Sequence, residues 1–228
     1  MSNVHLSKGK GLFGALVVGA ALGLALVSDG AFASETGLRG SSERGFTGLS
    51  VYTATGYQNA TIKGSNLKVQ GTDITLPSQS ETKHSTFWLL GLDYTHVFAN
   101  QFSLGAQFDY YPKSGQYALS LSPGYEFNDR VMGYVRLGWA NVPTTVAQGP
   151  GQPNYKKWLN AYFVGVGTRV NIYRGVFGYA EVRYSEVERL NFTGSAVLPN
   201  APQLGPVPIQ GSADTTAVNA FIGLGYRF

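Results

Sequence analysis

The sequence contains no cysteine and only two methionines in 228 residues. Missing thiols exclude a disulfide framework, a nucleophilic cysteine and a thiolate metal site. Charge is scarce too: Asp, Glu, Lys and Arg make up 13% of the chain, about half the usual globular share. There is no block of basic residues, so nucleic acid is not an expected partner. Beyond the N-terminal stretch no apolar run reaches the ~18 residues needed for a membrane-crossing helix. Histidine is limited to His5, His84 and His96, too few and too scattered for a metal centre. Gly165-Val166-Gly167 lacks the third glycine and the helix of a nucleotide loop. No cofactor and no metal site are therefore expected.

What is abundant is glycine, 30 residues, and aromatics, 13%. The N-terminus has the three parts of an export signal. Lys8 and Lys10 supply positive charge, Gly11 to Val27 is apolar, and Ala31-Phe32-Ala33 is an A-x-A cleavage site. Residues 1–33 are accordingly expected to be a cleaved signal peptide, 34–43 a periplasmic lead, and 44–228 the folded domain. Losing Lys8, Lys10 and Asp29 changes the formal charge from +4 to +4 − 2 + 1 = +3.

Eight strand-like segments follow from period-two alternation and turn residues. They are Gly45–Tyr57, Ser85–Phe98, Gln101–Tyr111, Gln116–Phe127, Arg130–Val142, Leu159–Ile172, Gly175–Glu186 and Thr215–Phe228. Ala99-Asn100, Asn128-Asp129 and Tyr173-Arg174 read as tight turns. Gln58–His84, Pro112–Gly115, Val142–Trp158 and Val187–Asp214 read as the other connections, three of them long. Short and long connections alternate strictly, as in a barrel with short turns on one side of a membrane and loops on the other. The expected fold is all-β: an eight-stranded antiparallel transmembrane up-and-down β-barrel.

One face of each strand is apolar and free of charge. Trp88, Leu90 and Leu92 are examples, as are Leu119 and Leu121, Val164 and Val166, and Ile222 and Leu224. Aromatics gather at strand ends. Trp88, Tyr110, Tyr117, Trp139, Tyr162 and Tyr184 form an expected outer girdle, and Phe102, Tyr125, Tyr226 and Phe228 an inner one. The opposite face carries Asp93, Asp109, Glu126 and Glu181 with Arg136, Arg169, Arg183 and Arg227. Eight strands enclose an interior just wide enough for side chains. Buried charges must pair, so a salt-bridge network obstructing the lumen is expected. Pro123 lies inside the fourth strand and removes a ladder donor, which predicts a bulge there.

Four stretches resemble the small outer-membrane β-barrel family: Gly124-Tyr125-Glu126-Phe127-Asn128-Asp129, Tyr134-Val135-Arg136-Leu137-Gly138-Trp139, Gly178-Tyr179-Ala180-Glu181-Val182-Arg183-Tyr184 and Gly223-Leu224-Gly225-Tyr226-Arg227-Phe228. That family includes the OmpA transmembrane domain, OmpX-like proteins and opacity-type surface antigens, described together as porin-family outer-membrane proteins. The resemblance implies a monomer in the bacterial outer membrane, contacting its lipid and lipopolysaccharide. It implies that Tyr226 and Phe228 signal to the barrel-assembly machinery, and that Arg136, Glu181 and Arg183 plug the lumen. Tethering to the cell wall through a periplasmic peptidoglycan-binding domain, as in full OmpA proteins, is not expected.

Three functional classes follow. A structural or surface-interaction barrel would bind an extracellular ligand through residues 58–84, 142–158 and 187–214, since loops on a rigid scaffold carry variable recognition. Lys156, Lys157 and Trp158 would then contact lipopolysaccharide phosphates. A small diffusion pore is the alternative. A lipid A-modifying enzyme is the third class, with His84-Ser85 as base and nucleophile near Glu186 or Glu188. The residues do not match the His-x-Ser-Asn pattern of lipid A deacylases, and no enzyme is expected.

Overall fold

The computed structural model describes residues 45–72, 75–146, 155–197 and 206–228. The expected signal peptide and lead lie outside the described residues. Eight strands run in chain order: β1 (Gly48–Val69), β2 (Gln79–Val97), β3 (Phe102–Tyr111), β4 (Gln116–Asn128), β5 (Val131–Val146), β6 (Tyr155–Tyr173), β7 (Val176–Val197) and β8 (Pro206–Arg227). Each pairs antiparallel with the next. The ring closes where β1 meets β8, from Ser50↔Arg227 to Val69↔Ile209. Closure leaves no free edge around the barrel wall, so the backbone is satisfied without water.

Tight turns join the strands at one end, called here the turn side. Arg174 and Gly175 both have positive φ, 40° and 83°, the pairing of a two-residue turn whose twist matches the strands it joins. Asn128 accepts hydrogen bonds on its Oδ1 from the Arg130 and Val131 amides, each at 2.9 Å. Both turns thus sit one residue later than alternation alone suggests, at Asp129-Arg130 and Arg174-Gly175.

Two expectations need correction. The segments Gln58–His84, Val142–Trp158 and Val187–Asp214 are largely strand. Pairing continues through Gly64↔Gln79, Val146↔Tyr155 and Val197↔Pro206. Past the outer aromatic rim the outward face turns polar, as at Asn59, Thr61 and Lys63 of β1, so the period-two signal fades while the hydrogen-bond ladder, which needs no apolar face, runs on. The second correction concerns Pro123. Leu104↔Pro123 is a regular pair on the β3 side. On the β5 side, Leu121↔Leu137 and Gly124↔Tyr134 keep one register across it. The irregularity lies instead between Glu126 and Asn128. Proline removes only one donor, so the ladder skips that bond without adding a residue.

The interior is built from cross-strand pairs of glycine and an aromatic. Tyr52↔Gly91 and Gly56↔Phe87 join β1 to β2. Tyr134↔Gly167 and Gly138↔Phe163 join β5 to β6. Phe177↔Gly225 and Tyr179↔Gly223 join β7 to β8. In every pair a Cβ on the glycine would strike the partner's ring. The glycines are where the rings lie down across the wall, which lets six large side chains share so narrow a lumen.

Candidate functional site: the ionic interior and the rims

Asp109 on β3, Arg136 on β5, and Glu181 and Arg183 on β7 meet in one layer. Arg136 Nη2 reaches Asp109 Oδ2 at 2.8 Å, and Arg136 Nη1 reaches Glu181 Oε2 at 3.4 Å. Arg183 Nη2 reaches Asp109 Oδ2 at 3.3 Å and Glu181 Oε1 at 2.7 Å. Each cation therefore touches both anions and each anion both cations, a closed alternating ring of zero net charge. Asp109 is fully buried and Arg136 is 2% exposed. Neutral donors and acceptors complete the layer. Tyr52 donates its hydroxyl to Asp109, and Tyr134 donates to Glu181 at 3.0 Å. Arg136 Nε donates to Ser120 at 2.8 Å and Arg183 Nη1 to Tyr111 at 3.1 Å. The Arg183 guanidinium also lies over the Phe163 and Phe221 rings, at 4.3 and 4.5 Å, where ring quadrupoles favour a cation.

Toward the turn side a second, smaller layer pairs Arg169 with Asp93 at 2.6 Å. Thr95 donates to Asp93 at 3.0 Å, and Gln107 donates to Ser122 at 3.0 Å. The gaps left among Tyr52, Tyr134, Arg136, Arg169, Phe177 and Tyr179 are too narrow to seat a water molecule.

Six of the eight charges singled out in the sequence are thus held in two paired layers. Glu126 and Arg227 stand apart at the turn-side mouth. Glu126 faces the backbone of Gly45 and Phe46. Arg227 lies over the Phe46 ring at 5.7 Å and donates to Asn171 at 3.3 Å. Neither makes an ion pair among the described residues. The strand ladder placed all eight on the inward parity, but strand length decides which of them share a level.

The exterior is the inverse of the lumen. Leu90, Leu92, Leu121, Leu137, Val166 and Ile222 are among its exposed apolar residues. Leu121 is 55% exposed between its neighbours Ala106 and Leu137. At the loop end of this belt Tyr117 and Trp139 meet edge to face at 5.8 Å. Trp88, Tyr110, Tyr162 and Tyr184 are exposed on the outward face of the wall. Trp139 Nε1 donates to Asn160 at 3.0 Å, and Asn160 donates to Glu188 at 3.0 Å. At the turn end Phe102 and Tyr125 meet at 5.4 Å, and Tyr226 and Phe228 at 5.2 Å.

His84 stacks on Tyr57 at 5.9 Å, whereas Ser85 donates to Gln58 at 3.2 Å. Adjacent strand residues face opposite ways, so His84 and Ser85 are not a base and nucleophile pair. Glu186 and Glu188 lie on β7, separated from β2 by β8 and β1. The same parity splits the basic cluster on β6. Lys156 and Trp158 share one face, and Lys157, opposite Thr144, points the other way. Further up the wall Arg189 grips Asp214 at 2.7 and 3.1 Å, and that contact pushes the Arg189 pKa up.

A closed antiparallel ring with a charge-free apolar belt, aromatic rims and an ion-paired interior defines a small transmembrane β-barrel of the outer-membrane type. The chain is similar to several solved structures. Ail, the attachment invasion locus protein of Yersinia pestis, is 17% identical, covering 80% of this chain and 99% of its own, with a TM-score of 0.43. Neisserial surface protein A is 13% identical over 80% of this chain and 98% of its own, TM-score 0.42. The outer membrane protein OprG of Pseudomonas aeruginosa is 15% identical over 80% and 96%, TM-score 0.42. No family model and no curated protein matches the sequence. The barrel assignment rests on the chain's own closed ladder.

Proposed function

We propose that the protein is a monomeric bacterial outer-membrane barrel with a closed interior, acting through the surface it raises on its loop side. The observation that carries this reading is the ring of Asp109, Arg136, Glu181 and Arg183. Every charge in it is matched by two of opposite sign, and the interstices beside it hold no water-sized space. An ion entering from either mouth would have to separate these pairs in a medium where separation is costly. The ionic layers therefore act as a plug and as the core of the fold.

The turn side, where the described ends of the chain lie, faces the periplasm. The long ends of β1, β2, β7 and β8 then stand outside the cell, where polar strand faces are available to an extracellular ligand. Lys156 and Trp158 meet lipopolysaccharide phosphate and the interfacial region, a reading supported by their sharing one face of β6, with Lys157 on the other. Tyr226 and Phe228, packed edge to face at the end of β8, serve as the recognition signal for barrel assembly.

Conductance in planar bilayers tests the closed interior. The purified protein is expected to give no stepwise current. Steady, reproducible channel steps would favour the pore and overturn the reading.

A further inference from the structure

The residues just before β1 lie in the turn-side mouth. Phe46 is 2% exposed and packs with Met132, Tyr134 and Val97, beneath the layer of Asp93 and Arg169. Four separate elements hold it there. Arg227, at the end of β8, covers its ring at 5.7 Å. Asn171 on β6 donates to the Gly45 carbonyl at 3.4 Å and to the Asp129 carbonyl at 2.7 Å, while accepting from Arg227. Thr47 accepts a hydrogen bond from the Val97 amide on β2 at 2.9 Å. Glu126 on β4 lies against the Gly45 and Phe46 backbone. Gly45 itself has φ of 47°, and a Cβ there would collide with the Glu126 carboxylate. The turn from the preceding chain into the mouth thus requires glycine.

We propose that Gly45–Thr47 is a strap that seats Phe46 as a stopper in the turn-side mouth, separately from the ionic ring. Nothing in strand pairing demands this segment, because β1 begins at Gly48. Yet its aromatic side chain is among the most buried of the described residues, and polar groups from four parts of the wall converge on its backbone and ring. A strap joined to the wall by side-chain contacts, rather than by a ladder, can leave its seat while the barrel stays closed. Stopper and ring would then be two closures in series, the stopper facing the periplasm and the ring deeper in the lumen.

The absence of cysteine makes the test clean. Ser103 faces the lumen beside Met132, a neighbour of the stopper; its hydroxyl lies 3.5 Å from the Met132 sulfur and the residue is 4% exposed. Ser103→Cys in otherwise native full-length protein should resist a cationic, water-soluble thiol reagent. Adding Phe46→Ala should speed labelling by roughly tenfold or more, since local opening sets access to buried groups. Phe46→Leu should keep most of the protection. Asn171→Ala, which frees Gly45 and Arg227 but leaves the aromatic in place, should give an intermediate rate and stands in if Phe46→Ala does not yield folded, heat-modifiable protein. Labelling of Ser103→Cys that is already fast, or that is unchanged by Phe46→Ala or by Asn171→Ala in folded protein, would overturn the proposal. Conductance of the wild type is a separate readout: a conducting wild type with a protected Ser103→Cys would contradict only the ionic plug.

Discussion

Replacing Arg136 with methionine would show what the ionic ring contributes. The guanidinium touches Asp109 at 2.8 Å, Glu181 at 3.4 Å and Ser120 at 2.8 Å, and it is 2% exposed. Methionine fills comparable space, so the cavity cost is small. What remains is electrostatic: Asp109 and Glu181 would share Arg183 alone, leaving one uncompensated negative charge in a buried layer. Removing one member of a buried pair typically costs about 3–5 kcal/mol. Urea unfolding of the protein in detergent, followed by heat-modifiable gel mobility, should register a loss of that size. Restoring neutrality with Arg136→Met and Glu181→Gln together should recover part of the loss, leaving Asp109 paired with Arg183 at 3.3 Å. The two changes would then be non-additive by about 1–3 kcal/mol, as expected for residues in one network. Arg189→Ala, at the exposed pair with Asp214, should leave the curve where it was. A loss below about 1 kcal/mol for Arg136→Met, or strictly additive effects, would refute the ring as a cooperative unit.

Other outcomes follow from the same geometry. Leu121→Arg, midway between the aromatic rims on the lipid face, should destabilise by about 2–4 kcal/mol, whereas Thr61→Arg, far up β1, should be tolerated; equal effects would remove the lipid belt. Gly91→Ala should displace the Tyr52 ring that lies across it and weaken the Tyr52 link to Asp109, which equilibrium unfolding would detect as a stability loss without loss of the fold. Lys156→Ala should weaken binding to lipopolysaccharide vesicles in a salt-dependent way, and Lys157→Ala should not; the reverse order would place the two side chains on the wrong faces. Deleting Phe228 should reduce the folded fraction recovered from cell envelopes while leaving refolding in detergent nearly unchanged.

Most of the wall was legible in the sequence because lipid imposes a strict rule. Between the rims every outward residue must be apolar or small, so alternation reads cleanly from Trp88 to Tyr94 and from Phe102 to Tyr110. Above the rims that rule lapses. Residues such as Asn59, Thr61 and Lys63 continue β1, yet nothing in their polarity distinguishes strand from loop. The inward charges were visible by parity, but their partners were not. Arg136 and Asp109 are 27 positions apart, and only strand register brings them level. For the same reason Glu126 and Arg227, inward by parity, fall at the mouth instead of in the ring. The glycine and aromatic pairs escaped notice because each partner looks ordinary alone; Gly91 gains its role only opposite Tyr52. Phe46 gave no signal, being one aromatic ahead of a strand. Its place depends on Arg227 and Asn171, which are remote in sequence.

Lipid solvates the outer wall of this barrel. Trp88, Trp139 and Trp158 are the chain's three tryptophans, and all three lie on the outward face at or above the loop-side rim. Quenching of their fluorescence in vesicles of acyl-brominated lipid measures the claim directly. A lipid-facing belt predicts strong quenching with bromine near the headgroup end of the acyl chain and weaker quenching with bromine near the bilayer centre. Unquenched emission from folded protein in the same vesicles would contradict it.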